Sequence, residues 1–269
     1  MSASLPIREV AKPWGRETLP APFCKTEREK IGEVWFEPPP ALTQLLVKYI
    51  FTSENLSVQV HPSDEQTEAR GLGRQGKEEC WLVIDAEPDA RLGIGFNAHV
   101  EAEAMRAAAL DGSIEHLMTW HPVARGDFFY IPANTVHAIG AGISLIEVQQ
   151  NSDITYRLYD YGRPRELHLD EGMAVARGEP YPSSLHCHLA ERGNARLVEG
   201  PHFRLDRVAG APEVAVRARY ANGALLVIPL EGEARIGGEA IGPGGCGLAE
   251  SLSAVDFTAN GLSLIAQPL

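Results

Sequence analysis

Short apolar runs, separated by turn-forming residues, dominate the chain between residues 46 and 150. Each run is rich in β-branched and aromatic residues and is bounded by Gly, Pro, Asp or Asn, as is typical of strands. The six runs are LLVKYIF, LSVQVH, ECWLVID, ARLGIGF, DFFYIPA and ISLIEVQQ. In the second run apolar and polar residues alternate, which places Ser57, Gln59 and His61 on one face of a strand. The pattern predicts a mainly β structure.

Helical patterns are few and short. The segment from Asp64 to Arg70 is predicted to form two helical turns. The Ala-rich segment from Glu101 to Leu110 is predicted to form a helix that Asp111-Gly112 ends, and a second amphipathic piece follows at Ile114 to Trp120. Because helices do not alternate with the strands, we expect an antiparallel barrel or jelly roll with a small helical insertion.

The pattern changes near Arg163, and this change predicts the domain organisation. Residues 166–200 are polar and punctuated by Pro and Gly, which indicates a connecting arm laid over the surface. Strand patterns return near Phe203 and continue to the end of the chain. We therefore expect a barrel over residues 1–165, an arm over 166–200 and a second, smaller β-domain over 201–269.

Charge and cysteine usage limit the classes of partner. The 269 residues include 24 Lys and Arg against 36 Asp and Glu, a net charge of −12, which repels nucleic acids and anionic membranes. An anionic substrate would need locally clustered cations. The four cysteines are far apart and form no CxxC pair, and no signal peptide or bilayer-length apolar segment is visible. We expect a soluble cytoplasmic protein that binds neither nucleic acid nor membrane, and the oligomeric state stays open.

Four residues have the chemistry and spacing of a metal site. Gln59 and His61 share one strand face, Glu79 opens the next predicted strand, and His137 follows the turn after Pro132. Two neutral imidazoles, a carboxylate and an amide oxygen suit Zn²⁺ or a similar divalent ion. The sequence therefore predicts about one divalent ion per chain.

Several separated motifs resemble one enzyme family. The spacing G-x5-P-x-N-x2-H from Gly126 to His137 resembles the second motif of the cupin barrels, and Q-x-H followed by Glu resembles the first. The stretches that extend these motifs are KPWG, IGEVW, LSVQVHP, GKEECW, GDFFYIPANTVHA and EVQQNSDITYRLYDYGR. Together they resemble the type I mannose-6-phosphate isomerases of the short bacterial form, closely over residues 10–165 and in outline beyond them.

This resemblance implies a fold, an activity and a cofactor. The fold is a cupin-type jelly roll, so residues 1–165 would be a metal-binding catalytic barrel and the C-terminal β-domain would hold no metal. The activity is zinc-dependent interconversion of mannose 6-phosphate and fructose 6-phosphate through an enediol, with a hexose phosphate as the small-molecule partner. The family's metal ligands fall on Gln59, His61, Glu79 and His137.

The same resemblance assigns catalytic and substrate-binding residues. The catalytic positions fall on Arg157, Glu147 and Lys77, and the substrate-binding positions on Ser57, Lys77 and Arg163. A fixed cation is suited to stabilising the enediolate charge, and the guanidinium fork suits phosphate. The group that moves the proton stays open between Glu147 and a water held at the metal.

Two other functions fit a cupin barrel. The first is a non-catalytic module that binds a sugar phosphate as a sensor, which would not require both Arg157 and the four predicted metal ligands. The second is a metal-dependent oxygenase with iron at a similar site. The amide of Gln59 and the basic residues Lys77 and Arg157 fit a phosphorylated sugar better than an oxygenase.

One further motif is set aside. His186-Cys187-His188 has metal-binding residue types, but it lies in the predicted arm and no third ligand is near it in the sequence. It is not predicted to be a site.

Overall fold

Two antiparallel sheets enclose an apolar interior in the computed structural model, which describes residues 3–269 apart from the side chains of residues 27 and 28. Residues 1 and 2, where the predicted barrel domain begins, lie outside this range. In spatial order the first sheet contains β1 (Ile7–Leu19), β2 (Lys25–Phe36), β3 (Leu45–Phe51), β10 (Ile143–Gln150), β5 (Glu79–Ala86), β8 (Asp127–Ile131) and β12 (His186–His188). The second contains β11 (Tyr156–Tyr159), β4 (Val58–Val60), β9 (His137–Ile139), β6 (Arg91–Phe96) and β7 (Met118–Pro122). The predicted mainly β barrel is confirmed.

The six apolar runs all form strands, and their burial explains their composition. Every residue of β3 and of β10 is buried. A strand that is covered on both faces is apolar throughout instead of alternating. One face of these central strands contributes to the barrel interior, and the other packs against the C-terminal part of the chain.

The hairpin of β1 and β2 was not predicted. Most of β1 is exposed or half-buried, and its sequence, IREVAKPWGRETL, mixes charges with few apolar residues. The pairing with β2 runs from Ile7 opposite Phe36 to Leu19 opposite Lys25. Such a strand is held by backbone hydrogen bonds to the edge of the sheet. These bonds do not require apolar side chains, so the sequence shows little apolar pattern.

In the part of the chain that the structure describes, five short α-helices interrupt the strands. They are α1 (Asp64–Ala69), α2 (Ala102–Asp111), α3 (Ile114–Leu117), α4 (Leu169–Met173) and α5 (Val214–Arg219). The first two confirm the helical prediction. The third is shorter than expected, because the chain from Met118 onward pairs as β7 with β6 and places Trp120 opposite Gly93. Across residues 3–269, no helix is both long enough and apolar enough to cross a membrane.

The C-terminal part of the chain forms two further sheets. The larger contains β13 (Ala195–Glu199), β14 (Phe203–Ala209), β20 (Leu262–Pro268), β15 (Leu225–Glu231) and β18 (Gly247–Ala249). The smaller contains β17 (Glu239–Ile241), β16 (Ala234–Ile236) and β19 (Val255–Phe257). Residues 166–200 supply α4, β12 and β13, so this segment adds strands to both parts of the chain. The division at residues 165 and 200 stays a prediction.

A shared core joins the C-terminal sheet to the barrel. Phe36, Tyr49 and Ile146 of the first barrel sheet pack in one buried cluster with side chains of the C-terminal sheet such as Phe203 and Leu264. Burial of each such side chain stabilises the fold by about 1.5–3 kcal/mol. The C-terminal sheet therefore covers a surface of the barrel that would otherwise expose large apolar groups.

Truncation after residue 165 is expected to make the protein insoluble. The deletion uncovers this apolar surface and also removes β12 from the edge of the first sheet. The soluble fraction after expression and the binding of a hydrophobic dye to any soluble product measure the effect. A truncated chain that stays soluble and fully active would contradict this view of the C-terminal part.

Candidate active site

Three buried side chains from both barrel sheets meet at one point. Glu79 opens β5 in the first sheet, while His61 follows β4 and His137 opens β9 in the second. The Nε2 atom of His61 lies 3.5 Å from Oε2 of Glu79, and the Nε2 atom of His137 lies 3.3 Å from Oε1. The two imidazole ring centroids are 4.8 Å apart. The fold thus brings together three residues that the sequence separates.

Hydrogen bonds on the far side of each ring fix its tautomer. The Nδ1 atoms of His61 and His137 lie 2.9 Å from the carbonyl oxygens of Ile154 and Thr135, respectively. A carbonyl only accepts, so each Nδ1 carries the hydrogen and each Nε2 presents a lone pair to the site. Burial lowers the pKa of His137 to about 4 and that of His61 well below its usual value, so both rings are neutral at pH 7.

The carboxylate of Glu79 faces these two lone pairs. Burial, followed by repulsion from Glu147, raises the pKa of Glu79 to about 7. Among the described residues, Oε1 of Glu79 has no hydrogen-bond partner. The lone pairs of two imidazole nitrogens and a carboxylate oxygen repel one another when they are close. A proton or a cation between them removes this repulsion. This donor set fits a divalent metal ion, and the three residues can hold one.

Lys77 supplies positive charge beside the same group. Its ammonium donates to Oε2 of Glu79 and lies 3.0 Å from Nε2 of His61. Burial alone would lower the pKa of Lys77, but attraction to Glu79 and Glu147 outweighs this effect and raises it. Lys77 is therefore protonated and contacts two of the predicted ligands directly.

Gln59 and Ser57 lie next to the three residues. The amide nitrogen of Gln59 is 3.3 Å from Nε2 of His137, and its oxygen accepts from the Ser57 hydroxyl at 3.3 Å. To act as a ligand, the amide must turn so that its oxygen faces the site and its nitrogen faces Ser57. The metal-ligand role of Gln59 stays a prediction, and so does substrate binding by Ser57.

A cavity of about 370 Å³ opens beside this group and carries an excess of positive charge. Gln59, Lys77 and Glu147 all line it, which connects it to the candidate metal ligands. Six cationic side chains and three acidic ones contribute to its wall: Arg8, Lys12, Lys48, Lys77, Arg157 and Arg165 against Glu33, Glu147 and Asp153. In a chain with a net charge of −12, the cavity is a locally cationic surface that suits an anionic ligand.

Sequence reasoning missed Lys48, a buried lysine that lines this cavity. Lys48 and Trp81 flank Glu147 on the neighbouring strands β3 and β5, so the three side chains form a row across the sheet. The Lys48 ammonium lies 3.1 Å from Oε1 of Glu147, and the Trp81 indole donates to Oε2 at 3.0 Å. The available signal was a single lysine within the otherwise apolar run LLVKYIF.

These contacts determine the charge of Glu147. Burial alone would raise its pKa, but attraction to Lys48 and Lys77, together with the hydrogen bonds from Lys48 and Trp81, lowers it to about 2. Glu147 is therefore ionised at pH 7, forms an ion pair with Lys48 and is attracted to Lys77.

Replacing Lys48 with Met is expected to lower the free energy of unfolding by about 3 kcal/mol, because it leaves the buried Glu147 carboxylate without its ion-pair partner. Urea denaturation followed by tryptophan fluorescence measures the change. The double variant Lys48→Met/Glu147→Gln removes the uncompensated charge and is expected to recover part of the loss. Unchanged stability in the single variant would show that the ion pair contributes little.

The structure separates three arginines that follow one another along the chain. Arg157 lines the cavity, and its guanidinium donates to the Glu166 carbonyl at 2.6 Å. Arg163 pairs with Asp160 at 3.0 Å and is not among the described residues that line the cavity. Arg165 lines it instead. The predicted role of Arg163 in substrate binding stays a prediction. Arg165, which also pairs with Asp160, is a further cavity cation that sequence reasoning did not single out.

Comparisons with known proteins place the chain beside one group of enzymes. Mannose-6-phosphate isomerase ManA of Bacillus subtilis is 37% identical over 211 residues, which are 74% of this chain and 65% of that protein. The mannose-6-phosphate isomerase of Streptococcus mutans is 38% identical over 203 residues, 71% of this chain and 62% of that protein. The matched region thus spans slightly less than two thirds of each relative. No family model matches the chain.

Solved structures show that the fold is shared over the whole chain. The crystal structure of the mannose 6-phosphate isomerase from Bacillus subtilis superposes with a TM-score of 0.78 at 24% identity, covering 98% of both chains. A variant of the phosphomannose isomerase from Salmonella typhimurium gives 0.69 at 15% identity, covering 99% of this chain and 100% of that one. The resemblance inferred from the motifs and the cupin-type fold are confirmed.

Proposed function

We propose that the chain is a zinc-dependent aldose–ketose isomerase that interconverts mannose 6-phosphate and fructose 6-phosphate through an enediol. One observation carries the proposal. The Nε2 atoms of His61 and His137, which carry no hydrogen, adjoin with the Glu79 carboxylate a cavity lined by an excess of cations. The sequence relatives of the chain, which are mannose-6-phosphate isomerases, give the substrate class.

The donor set indicates where the metal binds and what it supplies. His61, Glu79 and His137 hold the ion, and Gln59 completes the set after its amide turns. When bound, a zinc ion supplies a Lewis acid that stabilises negative charge on the sugar oxygens. Zinc suits two neutral imidazoles and one carboxylate better than magnesium or calcium does.

The cations of the cavity stabilise the negative charge of the enediolate and of the phosphate. Moving the carbonyl from C1 to C2 passes through an enediolate, whose charge a fixed cation stabilises. Arg157 is always protonated and presents a planar fork, which suits either the enediolate or the phosphate. Lys48 and Lys77 lie deeper in the site, where burial strengthens their field.

Glu147 is assigned a positioning role. A carboxylate with a pKa of about 2 is a weak base at pH 7. Its contacts with Lys48 and Trp81, and its attraction to Lys77, fix the two ammonium groups beside the substrate cavity. The assignment distinguishes Glu147, which orients the lysines, from the group that transfers the proton.

Substrate comparison tests the function. The purified chain is assayed with mannose 6-phosphate and with unphosphorylated mannose. We expect turnover to the ketose phosphate, with kcat/KM lower for mannose by on the order of 10² or more, because the free sugar loses the charged contacts. Binding of mannose 6-phosphate without turnover would replace the isomerase with a sugar-phosphate-binding module. Oxygen consumption would indicate an oxygenase.

Zinc binding is expected to weaken about tenfold per pH unit below pH 7 and to be nearly flat above it. In the metal-free protein the Glu79 pKa is raised to about 7, so at lower pH the ion must displace a proton from this carboxyl. The two histidines are already neutral in this range. Calorimetric titration with zinc in buffers of different ionisation enthalpy counts the released proton. The His116→Gln variant, altered at an exposed histidine, is the matched control, and zinc binding that releases no proton below pH 7 would contradict the assignment of Glu79.

A further inference from the structure

A second group of metal-binding side chains lies where β12 joins the edge of the first sheet. β12 consists of His186, Cys187 and His188, and it pairs antiparallel with β8 so that His186 faces Phe129 and His188 faces Asp127. Alternate residues of a strand share one face, and directly opposite residues share it as well. Two imidazoles and one carboxylate therefore project from the same face of this strand pair.

Asp127 is the centre of the group. Its Oδ1 atom lies 2.8 Å from Nδ1 of His188 and 3.6 Å from Nε2 of His186. Its other oxygen accepts the backbone N–H of Ala124 at 2.7 Å, which fixes the orientation of the carboxylate. With 7% of its surface exposed, Asp127 is buried and keeps one oxygen directed at both histidines.

The ring of His186 is held in place, but its Nε2 atom lacks a hydrogen-bond partner among the described residues. It stacks on Phe129 with centroids 4.2 Å apart and planes at 7°. Its Nε2 atom is buried and makes no hydrogen bond to the residues that the structure describes. A buried nitrogen without a partner costs free energy. The 3.6 Å between this nitrogen and Oδ1 is close to the roughly 3.4 Å that separates two ligands of a tetrahedral zinc ion.

We propose that His186, His188 and Asp127 form a second binding site for a divalent ion of the zinc class. Two imidazole nitrogens and one carboxylate oxygen are the protein ligands. The His188 ring turns toward His186 to complete the set, and because its side chain is 62% exposed, little packing opposes this movement. The ion ties β12, which belongs to the predicted connecting arm, to β8. Its role is structural.

Zinc titration of the full chain without an affinity tag tests the proposal. The double variant His61→Ala/His137→Ala removes the first site, so the measurement does not depend on the proposed isomerase activity. After chelation and dialysis, we expect this variant to bind about one equivalent of Zn²⁺ and its Tm to rise with added zinc. Adding His186→Gln and His188→Gln is expected to abolish both effects. The matched control adds His116→Gln, an exposed histidine on α3, and is expected to change neither.

Each alternative outcome has a defined meaning. If the double variant binds no zinc, or if the quadruple variant binds it equally well, the second site does not exist. His188→Gln alone changes an exposed side chain and leaves the fold intact. In the His61→Ala/His137→Ala background, His188→Gln is expected to weaken zinc binding by roughly 10–100-fold or more. Loss of a residue that only supports a metal ligand already weakens binding by this amount. Unaltered affinity would overturn the ligand assignment.

Discussion

Replacing Arg157 with Ala is expected to lower kcat/KM for mannose 6-phosphate by on the order of 10² or more. The guanidinium lines the cavity, and its Nε atom is buried without a hydrogen-bond partner among the described residues. Its hydrogen bond to the fold is a single donation to the Glu166 carbonyl. A cation so placed is available to a substrate. Steady-state kinetics measure the loss.

Metal content and Tm distinguish a catalytic role of Arg157 from a structural one. Both are expected to stay near those of the unaltered chain, because His61, Glu79 and His137 do not contact Arg157 through any described hydrogen bond. The Arg157→Lys variant is expected to recover activity only in part, since it keeps the charge but loses the fork. If Arg157→Ala unfolds the protein, the residue is structural. If turnover is unchanged, Arg157 does not act on the reacting sugar.

The variants His61→Ala and His137→Ala are each expected to lose the bound metal and nearly all activity. Each removes one of two buried imidazoles that share the Glu79 carboxylate, and the remaining donors are too few for a tight zinc site. Elemental analysis of the purified proteins measures metal content, and His116→Ala serves as a surface control. Because the second site described above also binds zinc, the measurement is made in the His186→Gln/His188→Gln background. Full occupancy in both variants would refute the ligand assignment.

The barrel and the centre of the site were predictable from local patterns. The alternation around Gln59 and His61 gives their shared face, and Glu79 begins a strand whose apolar residues are evident. These inferences work because burial on one or both faces of a strand imposes a pattern with a period of two or a continuous apolar run. The charged β1 and β2 hairpin lacks both patterns, since pairing at the sheet edge requires backbone groups more than apolar side chains.

The rest of the site depends on contacts that the sequence does not show. Lys48 becomes a site residue because β10 lies between β3 and β5, which places Glu147 beside it. Arg163 and Arg165 both pair with Asp160, but Arg163 also donates to the Asn55 carbonyl, and Arg165 is the one that lines the cavity. The positions of Lys48 and Arg165 follow from strand order and turn geometry. The sequence of one segment does not determine either of these.

The contacts of the His186-Cys187-His188 motif were also not predictable from the sequence. Its third candidate ligand, Asp127, is distant in the sequence and reaches the motif through the register of β12 against β8. The sequence predicts an exposed arm at this point, whereas the chain adds an edge strand to the barrel sheet. The two histidines lie near a carboxylate only because β12 pairs with β8, which is distant in the sequence.

Metal removal and restoration test the central claim most directly. The purified chain is assayed with mannose 6-phosphate, then treated with a chelator, dialysed, assayed again, and finally supplied with Zn²⁺ in excess over both proposed sites. We predict activity before chelation, its loss in the metal-free protein and its recovery with zinc, and no recovery in the His137→Ala variant treated in the same way. Full activity in the metal-free protein, or no activity toward mannose 6-phosphate at any stage, would contradict the account.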